Sequence, residues 1–451
     1  MNIDLKKGLN IPVKGEAALR VSKTIVPDTV AVRPDDFHGL VPRLLVSEGD
    51  KVLCGSPVMA DKLHPEILIS SPVSGTVKAI VRGEKRKLLA VVVESDTDQQ
   101  YAEFGAKGVT DAAKVRELIL ASGLWPFIVE RPYGVLANPD IKPKAIFVSA
   151  FSTAPLAADT EFAFGAETAA IQAGINAVRT LTDGPVHFSY NAADYATTAL
   201  NRIENVTAHK FSGKHPAGNV GVQISHISPI RKDETVWTIS LAGLAAIGKL
   251  FLKGKVDLMR KVAVTGPMAI EPSYICTVPG MPFSCLAPYF GASPEGIRFV
   301  SGDPLSGSNA GAGGSLGFFD NQVTLLKEGT EREWFGWIRP LRYKQFSTDH
   351  CYFSWLTPWR KYDMDTNLHG GPRAFVMSDP YYAKVLPMDI FPLYLVKACI
   401  AGDIDKMEKF GIYEVLPEDL ATCEFIDPCK NDIQSIIEKG IEQMRKEMAY
   451  Q

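Results

Sequence analysis

The sequence predicts an α/β protein of several domains, and three observations lead to this fold class. First, 451 residues exceed the size of one compact core, so two to four domains are expected. Second, closely spaced hairpin signals in residues 1–101 predict an all-β module. Third, strand and helix patterns alternate through 102–256, followed by a β-rich stretch (257–330) and a helical region (331–451). These four ranges are the expected domains.

Composition argues against several classes of protein. The formal net charge of −3 leaves no basic excess for neutralising nucleic-acid phosphates. Seven cysteines form no C-x-x-C pair, which favours a reducing, cytoplasmic setting, and the first residues lack the apolar core of a signal peptide. The nearest candidate for a membrane span is Val236–Leu252, which is short and contains Lys249. It therefore indicates a buried strand followed by a helix.

The all-β prediction rests on Val41–Glu94, where β-branched runs alternate with the turn signals EGD, CG, SPVSG and RGE. The order of EGD and SPVSG resembles the biotinyl and lipoyl carriers, which implies a barrel-sandwich hybrid. Those carriers modify one hairpin lysine, but Lys62 lies two residues further from SPVSG than their pattern requires. A barrel without the covalent arm is therefore favoured over an acyl carrier. The basic turn Arg82–Lys87 is either a solvated hairpin tip or a docking patch for acidic lipid or a partner protein.

Residues 102–256 alternate helical and strand patterns. Ala112–Trp125 has apolar residues at helical spacing, and a second amphipathic helix is predicted at 167–181. Ligands of parallel α/β sheets bind beyond the carboxyl ends of the strands. The loops AFSTAP and KFSGKHPAG are expected at that edge, because each follows a predicted strand. The predicted strands are 145–150, 184–191 and 204–212.

The segment Phe211–Ile227, FSGKHPAGNVGVQISHI, is the candidate functional loop. Its glycines let backbone N–H groups approach a ligand closely, as in a phosphate cradle, and nearby lysine and histidine side chains add charge and hydrogen bonds. Each histidine is equally open to a structural role as a hydrogen-bonded interior residue. The candidates are Gly213, Gly218 and Gly221 for the cradle, and His209, Lys214 and His215 for ligand contacts.

Residues 257–330 are rich in glycine, proline and short apolar runs, which indicates a small β-rich module. Within it, Gly302–Gly317 superficially resembles a nucleotide-binding loop. GAGGSLG is neither G-x-G-x-x-G nor GK[ST], so a surface loop is predicted. In 331–451, an aromatic stretch is followed by two segments, 391–411 and 429–448, whose periodic apolar residues and charged opposite faces predict a helical bundle.

Four stretches along nearly the whole chain together resemble one family: KKGLNIPVKG, EGD…SPVSGTV, FSGKHPAGNVG and VSGDPLSG. By these the sequence is similar to the NqrA family, which supplies one subunit of the sodium-translocating NADH:quinone reductase. That family is related in architecture to RnfC and to the flavin-bearing NADH subunit of respiratory complex I. The resemblance implies a Rossmann-like domain at 102–256, a β-grasp domain of the soluble-ligand-binding type at 257–330, and a C-terminal helical domain with an iron–sulfur framework.

The sequence departs from these relatives at the iron–sulfur framework. RnfC-type clusters need C-x-x-C-x-x-C-x-x-x-C-P, whose thiolates wrap one cube of iron and sulfide. One of the eight matching positions is a cysteine, and a single thiolate holds no cluster. The positions are Val376, Asp379, Tyr382, Leu386, Pro417, Leu420, Cys423 and Asp427. We therefore expect no iron–sulfur cluster and no other metal, with the helical framework retained.

The flavin loop of the relatives is also altered. A GRGGAGFPTG-type loop corresponds here to KFSGKHPAGNVG, in which Lys214, His215 and Pro216 would crowd an isoalloxazine ring. The three cradle glycines are then a vestigial flavin loop, and no tightly bound flavin is expected in this chain.

The resemblance implies a peripheral subunit on the cytoplasmic side of the bacterial inner membrane. Its complex would oxidise NADH, reduce ubiquinone or menaquinone and export Na⁺, with the membrane and flavin subunits as partners. Without a spanning helix, a cluster or a clear NADH motif, this chain is left with quinone binding and assembly, and we do not expect it to be catalytic alone.

A quinone site requires an apolar, aromatic slot with one or two hydrogen-bond donors for the carbonyl oxygens. Besides the histidines and lysine of the loop, two aromatic and basic segments qualify, VRPDDFHG (32–39) and WPFIVERPY (125–133). Their candidate residues are Phe37, His38, Phe127, Arg131 and Tyr133. The alternative is a structural scaffold of the complex with an empty, inherited flavin-type fold.

Overall fold

The computed structural model describes residues 1–291, 293–330, 342–348, 353–364, 366–367 and 379–448, so Val376 lies outside the described residues. Strands within these ranges are numbered in chain order: β1 (Asn2–Asp4), β2 (Ala18–Thr24), β3 (Thr29–Val32), β4 (Pro42–Leu44), β5 (Lys51–Val52), β6 (Pro57–Asp61), β7 (Leu68–Ser70), β8 (Gly75–Arg82), β9 (Leu88–Ser95), β10 (Ile128–Arg131), β11 (Val135–Leu136), β12 (Ile146–Ser149), β13 (Val186–Asn191), β14 (Thr207–Ser212), β15 (Val236–Ile239), β16 (Arg260–Thr265), β17 (Ser273–Thr277), β18 (Ile297–Ser301), β19 (Ser308–Asn309) and β20 (Gln322–Lys327).

The α-helices of the same ranges are α1 (Ala112–Ala121), α2 (Thr160–Phe164), α3 (Thr168–Arg179), α4 (Val220–Ile227), α5 (Leu241–Lys253), α6 (Ala287–Phe290), α7 (Asp379–Val385), α8 (Pro392–Ala401), α9 (Ile404–Phe410), α10 (Ala421–Ile426) and α11 (Ile433–Met448). Among these helices, none combines the length and the apolar character needed to cross a bilayer. The segment Val236–Leu252 consists of β15 and most of α5, which confirms the predicted strand and helix.

Residues 29–95 form the predicted all-β module from two antiparallel sheets, ordered β3-β9-β8-β5 and β4-β6-β7. β-branched residues fill its interior because alternate side chains of each strand point inward, as Val91 and Val93 do in β9. The turn Glu84–Lys87 between β8 and β9 is exposed, which agrees with both a solvated hairpin tip and a docking patch.

The α/β domain, residues 102–256, is built on a seven-stranded sheet ordered β1-β14-β13-β12-β15-β10-β11. Its first five strands are parallel, and β10 and β11 run antiparallel at one edge. Side chains such as Ile146 and Val148 pack towards α1, α3 and α5, whereas Phe147 packs with Ile224 of α4 on the opposite face. The predicted alternation of strands and helices is therefore confirmed.

Two strands within the range 1–101 pair outside the all-β module. β1 extends the α/β sheet alongside β14, and β2 pairs in parallel with β17. Edge strands of this kind are held by backbone hydrogen bonds to a distant partner, for which residues 2–4 and 18–24 carry no local signal. The first 24 residues consequently tie two other sheets together.

Residues 257–330 form a mixed six-stranded sheet with β2, ordered β19-β18-β20-β16-β17-β2. The surface-loop prediction for Gly302–Gly317 is wrong at its C-terminal end, because Ser315–Gly317 is buried. Leu316 packs into the core of this sheet with Phe283 and Phe299, and apolar burial outweighs the flexibility that the glycines suggest. The finer description as a β-grasp domain stays a prediction.

The described part of 379–448 is helical, as predicted, and α7 to α11 share one hydrophobic core. Phe211 and Val222 of the α/β domain and Leu5 of the N-terminal segment belong to the same core. The C-terminal helices therefore pack directly against the candidate loop.

Candidate functional site

The candidate loop connects β14 to α4 at the carboxyl end of the parallel sheet, as predicted. The loop that follows β12 meets it there: the Thr153 hydroxyl accepts a hydrogen bond from Gly218 N at 2.9 Å, and the Ser149 hydroxyl donates to the Gly218 carbonyl at 3.0 Å. These bonds fix the two loops against each other and leave Gly218 buried.

The N-terminal segment covers the start of the loop. Leu5 N donates to the Ser212 carbonyl at 2.8 Å, and Leu9 N donates to the His215 carbonyl at 2.8 Å. The side chain of Asn10 accepts a hydrogen bond from His215 N at 3.1 Å. Two N–H groups of the loop, those of His215 and Gly218, are thus hydrogen-bonded within the chain itself.

Each cradle glycine accommodates a close approach by another segment of this protein. A Cβ on Gly213 would lie 2.9 Å from the Leu5 carbonyl oxygen, and one on Gly218 would lie 2.6 Å from Thr153 N. A Cβ on Gly221 would lie 2.1 Å from Asp419 Oδ2. The glycines are explained by internal packing, since a side chain at any of them would collide with the chain's own atoms.

His215 is buried at the junction of four segments. Its Nδ1 lies 3.2 Å from the Thr153 hydroxyl, while its backbone binds Asn10 and Leu9 as described above. Burial lowers the pKa of His215, and the acidic side chains of Asp303 and Asp419 partly oppose that effect. A neutral imidazole surrounded by the chain's own groups fits a structural role. Lys214, by contrast, is exposed.

His209 lies apart from the loop, on the face of the sheet that α4 covers. Its Nε2 is 2.9 Å from Nδ1 of His187, a residue that the sequence did not single out. Burial and the neighbouring His187 lower the pKa of His209 to about 4, and burial lowers the pKa of His187. The pair is therefore neutral and belongs to the interior between sheet and helix.

Arg131 forms a buried ion pair with the C-terminal region. Its Nη1 lies 3.2 Å from Asp419 Oδ2 and its Nη2 lies 2.9 Å from Glu418 Oε1. The Arg131 side chain is 2% exposed and the Asp419 side chain is fully buried. Partial burial and the adjacent Asp419 raise the pKa of Glu418, whose side chain is 39% exposed. Sequence reasoning missed both acids, because PEDL has no local feature that points to a cation nearly 300 residues earlier.

The two aromatic segments come together at one point. Phe37 and Phe127 both pack against Phe318, with ring centroids 4.8 and 5.3 Å away, and against Phe319, at 5.5 Å each. The remaining candidates of these segments point elsewhere: His38 is exposed beside Glu438, and Tyr133 packs with the C-terminal core. The phenylalanine pair was missed, although the FF dipeptide in SLGFFD is its signal.

A half-buried arginine holds this aromatic cluster in place. Nη2 of Arg260 donates to the carbonyls of Phe318 and Asp320 at 2.9 and 2.8 Å, and burial lowers the pKa of Arg260 to about 10. Nε of Arg260 is buried and has no hydrogen-bond partner among the described residues. A buried donor left without a partner costs roughly 1–3 kcal/mol.

A cavity of about 400 Å³ lies beside this cluster, between α3, α5 and the strands β16 and β17. Besides Arg260, its polar lining includes Lys249, which is 10% exposed, donates to the Met259 carbonyl at 3.2 Å and lies 3.4 Å from Glu167. The apolar lining includes Phe127, Phe164, Ala242, Ala246, Leu258 and Met259. A second cavity, about 650 Å³, lies between β18, β20 and the C-terminal helices and contains none of the predicted site residues.

The positions that match cluster ligands in the relatives fill the C-terminal core instead. Tyr382, Leu386, Leu420 and Cys423 are all buried there. Burial raises the pKa of the Cys423 thiol, which disfavours the thiolate that metal binding requires.

Comparison with known proteins identifies two segments. Residues 3–96 match the NqrA N-terminal barrel-sandwich hybrid domain, and residues 110–256 match the NqrA second alpha/beta domain. The solved structure of an NAD⁺-reducing NiFe hydrogenase in the H₂-reduced state is 10% identical with a TM-score of 0.35, over 73% of this chain and 57% of that chain. A similarity this low carries no conclusion.

Full-length relatives give a clearer result. The NqrA subunit of the Na(+)-translocating NADH-quinone reductase from Yersinia pestis bv. Antiqua is 35% identical over 451 residues, which cover 99% of this chain and all of the relative. The corresponding protein from Rhodopirellula baltica is 35% identical over 450 residues, 98% of each chain. That of Saccharophagus degradans is 34% identical over 451 residues, 99% of this chain and all of the relative. Agreement over the whole length shows that this chain belongs to the NqrA family of subunits of the Na⁺-translocating NADH-quinone reductase.

Proposed function

We propose that this subunit contributes a quinone-binding slot to its complex, in the cavity beside Phe127. The observation that carries the proposal is the combination in one place of an apolar, aromatic lining with buried hydrogen-bond donors. A volume of about 400 Å³ is within the range of small-molecule sites. Phe127, a candidate from the sequence, contributes to both the aromatic cluster and the cavity wall.

The polar groups of the cavity suit a quinone headgroup, whose two carbonyl oxygens accept hydrogen bonds. In this proposal the donors are N–H groups of Lys249 and Arg260, whose side chains line the cavity. The alanine-rich wall of α5 leaves room for a flat ring, and Leu258 and Met259 offer apolar surface to an isoprenoid tail.

The candidate loop supports the second proposed role, that of a scaffold. Its glycines pack closely against Leu5, Thr153 and Asp419, and the N–H groups of His215 and Gly218 bind Asn10 and Thr153, which favours a loop without flavin. The apolar core at the former cluster positions likewise favours a chain without an iron–sulfur cluster. In this proposal the protein sits peripherally on the cytoplasmic face and assembles with the membrane and flavin subunits. Co-purification with those subunits tests this placement.

Titration of the whole chain with a short-chain ubiquinone, followed by tryptophan fluorescence, tests the slot. We expect saturable binding to the wild type and at least tenfold weaker binding to Lys249→Met, because one donor is lost while the length of the side chain is kept. Lys255→Met is the matched control, since Lys255 is 42% exposed and outside the cavity lining. Absence of saturable binding, or equal weakening in both variants, would leave the scaffold as the remaining function.

A further inference from the structure

The tip of the hairpin between β6 and β7 contacts the α/β domain through a cluster of potential metal ligands. The turn is closed by a hydrogen bond from Ile67 N to the His64 carbonyl at 2.9 Å, which presents His64 and Glu66 on the same side. Asp140, in the loop between β11 and β12, faces them from the other domain. Nothing in the quinone proposal uses these three residues.

The geometry of the three side chains is close to that of a metal site. Nδ1 of His64 lies 3.6 Å from Oε1 of Glu66, and one ligand atom from each of the three residues lies within 4.8 Å of the other two. Ligand atoms around a tetrahedral zinc ion, with bonds of about 2.0–2.2 Å, are about 3.4 Å apart. Glu66 and Asp140 are exposed, so small rotations of their side chains can close the remaining distance.

The charge of this cluster is uncompensated within the described part of the chain. No salt bridge there joins Glu66, Asp140 or the nearby Glu130 to a lysine or an arginine. Asn138 binds Glu130 and Asp140, since its N–H donates to Glu130 Oε2 at 3.0 Å and its side-chain oxygen accepts from the backbone N of Asp140 at 2.9 Å. The local field therefore attracts a cation to a place where an imidazole nitrogen and two carboxylates converge.

We propose that His64, Glu66 and Asp140 bind one divalent transition-metal ion, with Zn²⁺ the best match and water completing the coordination. An imidazole with two carboxylates suits Zn²⁺, whereas Mg²⁺ and Ca²⁺ prefer ligand sets made only of oxygen. Because the ligands come from two domains, the ion fastens the barrel hairpin to the α/β domain.

Calorimetric titration of the chelator-treated whole chain with ZnCl₂ tests this site. We expect one strong site per chain in the wild type, and at least tenfold weaker binding in His64→Ala and in Asp140→Asn. His38→Ala serves as the matched control, because His38 is an exposed histidine 4.0 Å from a single carboxylate, that of Glu438. All three positions are on the surface, and circular dichroism verifies that the variants fold.

Thermal unfolding with and without ZnCl₂ gives an independent readout. The proposal predicts a metal-dependent rise in Tm for the wild type and for His38→Ala, and none for Asp140→Asn, because binding to the folded state alone stabilises it. Equal Zn²⁺ affinity in the wild type and in both ligand variants would indicate an adventitious ion only and overturn the site. Loss of binding in His64→Ala with full binding in Asp140→Asn would overturn the link between the domains.

Discussion

Gly221 lies in the first turn of α4, directly beside the buried ion pair of Arg131 and Asp419. The pair fits there because glycine has no Cβ. The Asp419 carboxylate and the Arg131 guanidinium lie 2.1 and 2.6 Å from where that carbon would be. Helix propensity alone would favour alanine by about 1 kcal/mol at a helical position. Steric exclusion outweighs this preference, because neither charged group can move without giving up its partner in a site closed to water.

Replacement of Gly221 by alanine is therefore predicted to lower the free energy of unfolding by about 3 kcal/mol, the usual cost of breaking a buried ion pair. Urea denaturation measures this directly. Gly313→Ala is the matched control, since Gly313 is exposed and has open space around its position, and it should change stability by less than about 0.5 kcal/mol. A Gly221→Ala protein as stable as the control would contradict the steric argument.

The sequence singled out several residues of the candidate loop, but not the contacts that those residues make within the chain. Glycine, histidine and lysine in FSGKHPAGNVG indicated a ligand loop, because ligand loops and tightly packed turns require the same residue types. The residues that show the loop to be a tightly packed turn are Leu5, Asn10 and Asp419, and each is more than 190 residues away from its contact in the loop. Long-range contacts of this kind leave no local pattern.

Between β13, β14 and α4, two adjacent strands place a histidine pair in the interior. His187 and His209 are both buried and in contact, and each has a lowered pKa because burial disfavours the charged form. In an unfolded chain a histidine has a pKa near 6.5. Below that value the unfolded state binds more protons than the folded state. The free energy of unfolding therefore decreases as the pH falls from about 6.5 towards 4.

For His209 alone, the difference between 6.5 and about 4 corresponds to roughly 3 kcal/mol. We predict that the free energy of unfolding declines less steeply between pH 7 and pH 5 in His209→Gln than in the wild type. Urea denaturation at several pH values gives both slopes, and the slope is informative even if the variant is less stable overall. The exposed His38→Gln variant should keep the wild-type slope, and an unchanged slope in His209→Gln would refute the effect.

Most elements could be predicted from the sequence, because helical and strand periodicity is local. The helix beginning near Ala112 and the two strands that precede the candidate loop, β13 and β14, were found where their patterns indicated. β1 and β2 were not, since their pairing depends on distant edges. The burial of Ser315–Gly317 was missed for a related reason: Phe283 and Phe299, with which Leu316 packs, lie in other segments of the chain.

At the scale of the whole molecule, the two faces of the α/β sheet have different surroundings: one packs against the C-terminal helices and the other borders a cavity. On the face of α4, the C-terminal helices and the N-terminal segment pack into one core and leave the candidate loop engaged by the chain itself. On the face of α3 and α5, alanines, Phe127 and Lys249 surround a cavity. The proposed function therefore places assembly on the first face and quinone binding on the second.

A photoreactive ubiquinone analogue tests this assignment most directly, with the labelled residues identified by peptide mass spectrometry of the assembled complex. We predict labelling at Phe127, at 242–249 or at 257–261, reduced by an excess of unlabelled ubiquinone. Competed labelling confined to the loop Phe211–Gly221, or labelling that unlabelled ubiquinone does not reduce, would contradict the assignment.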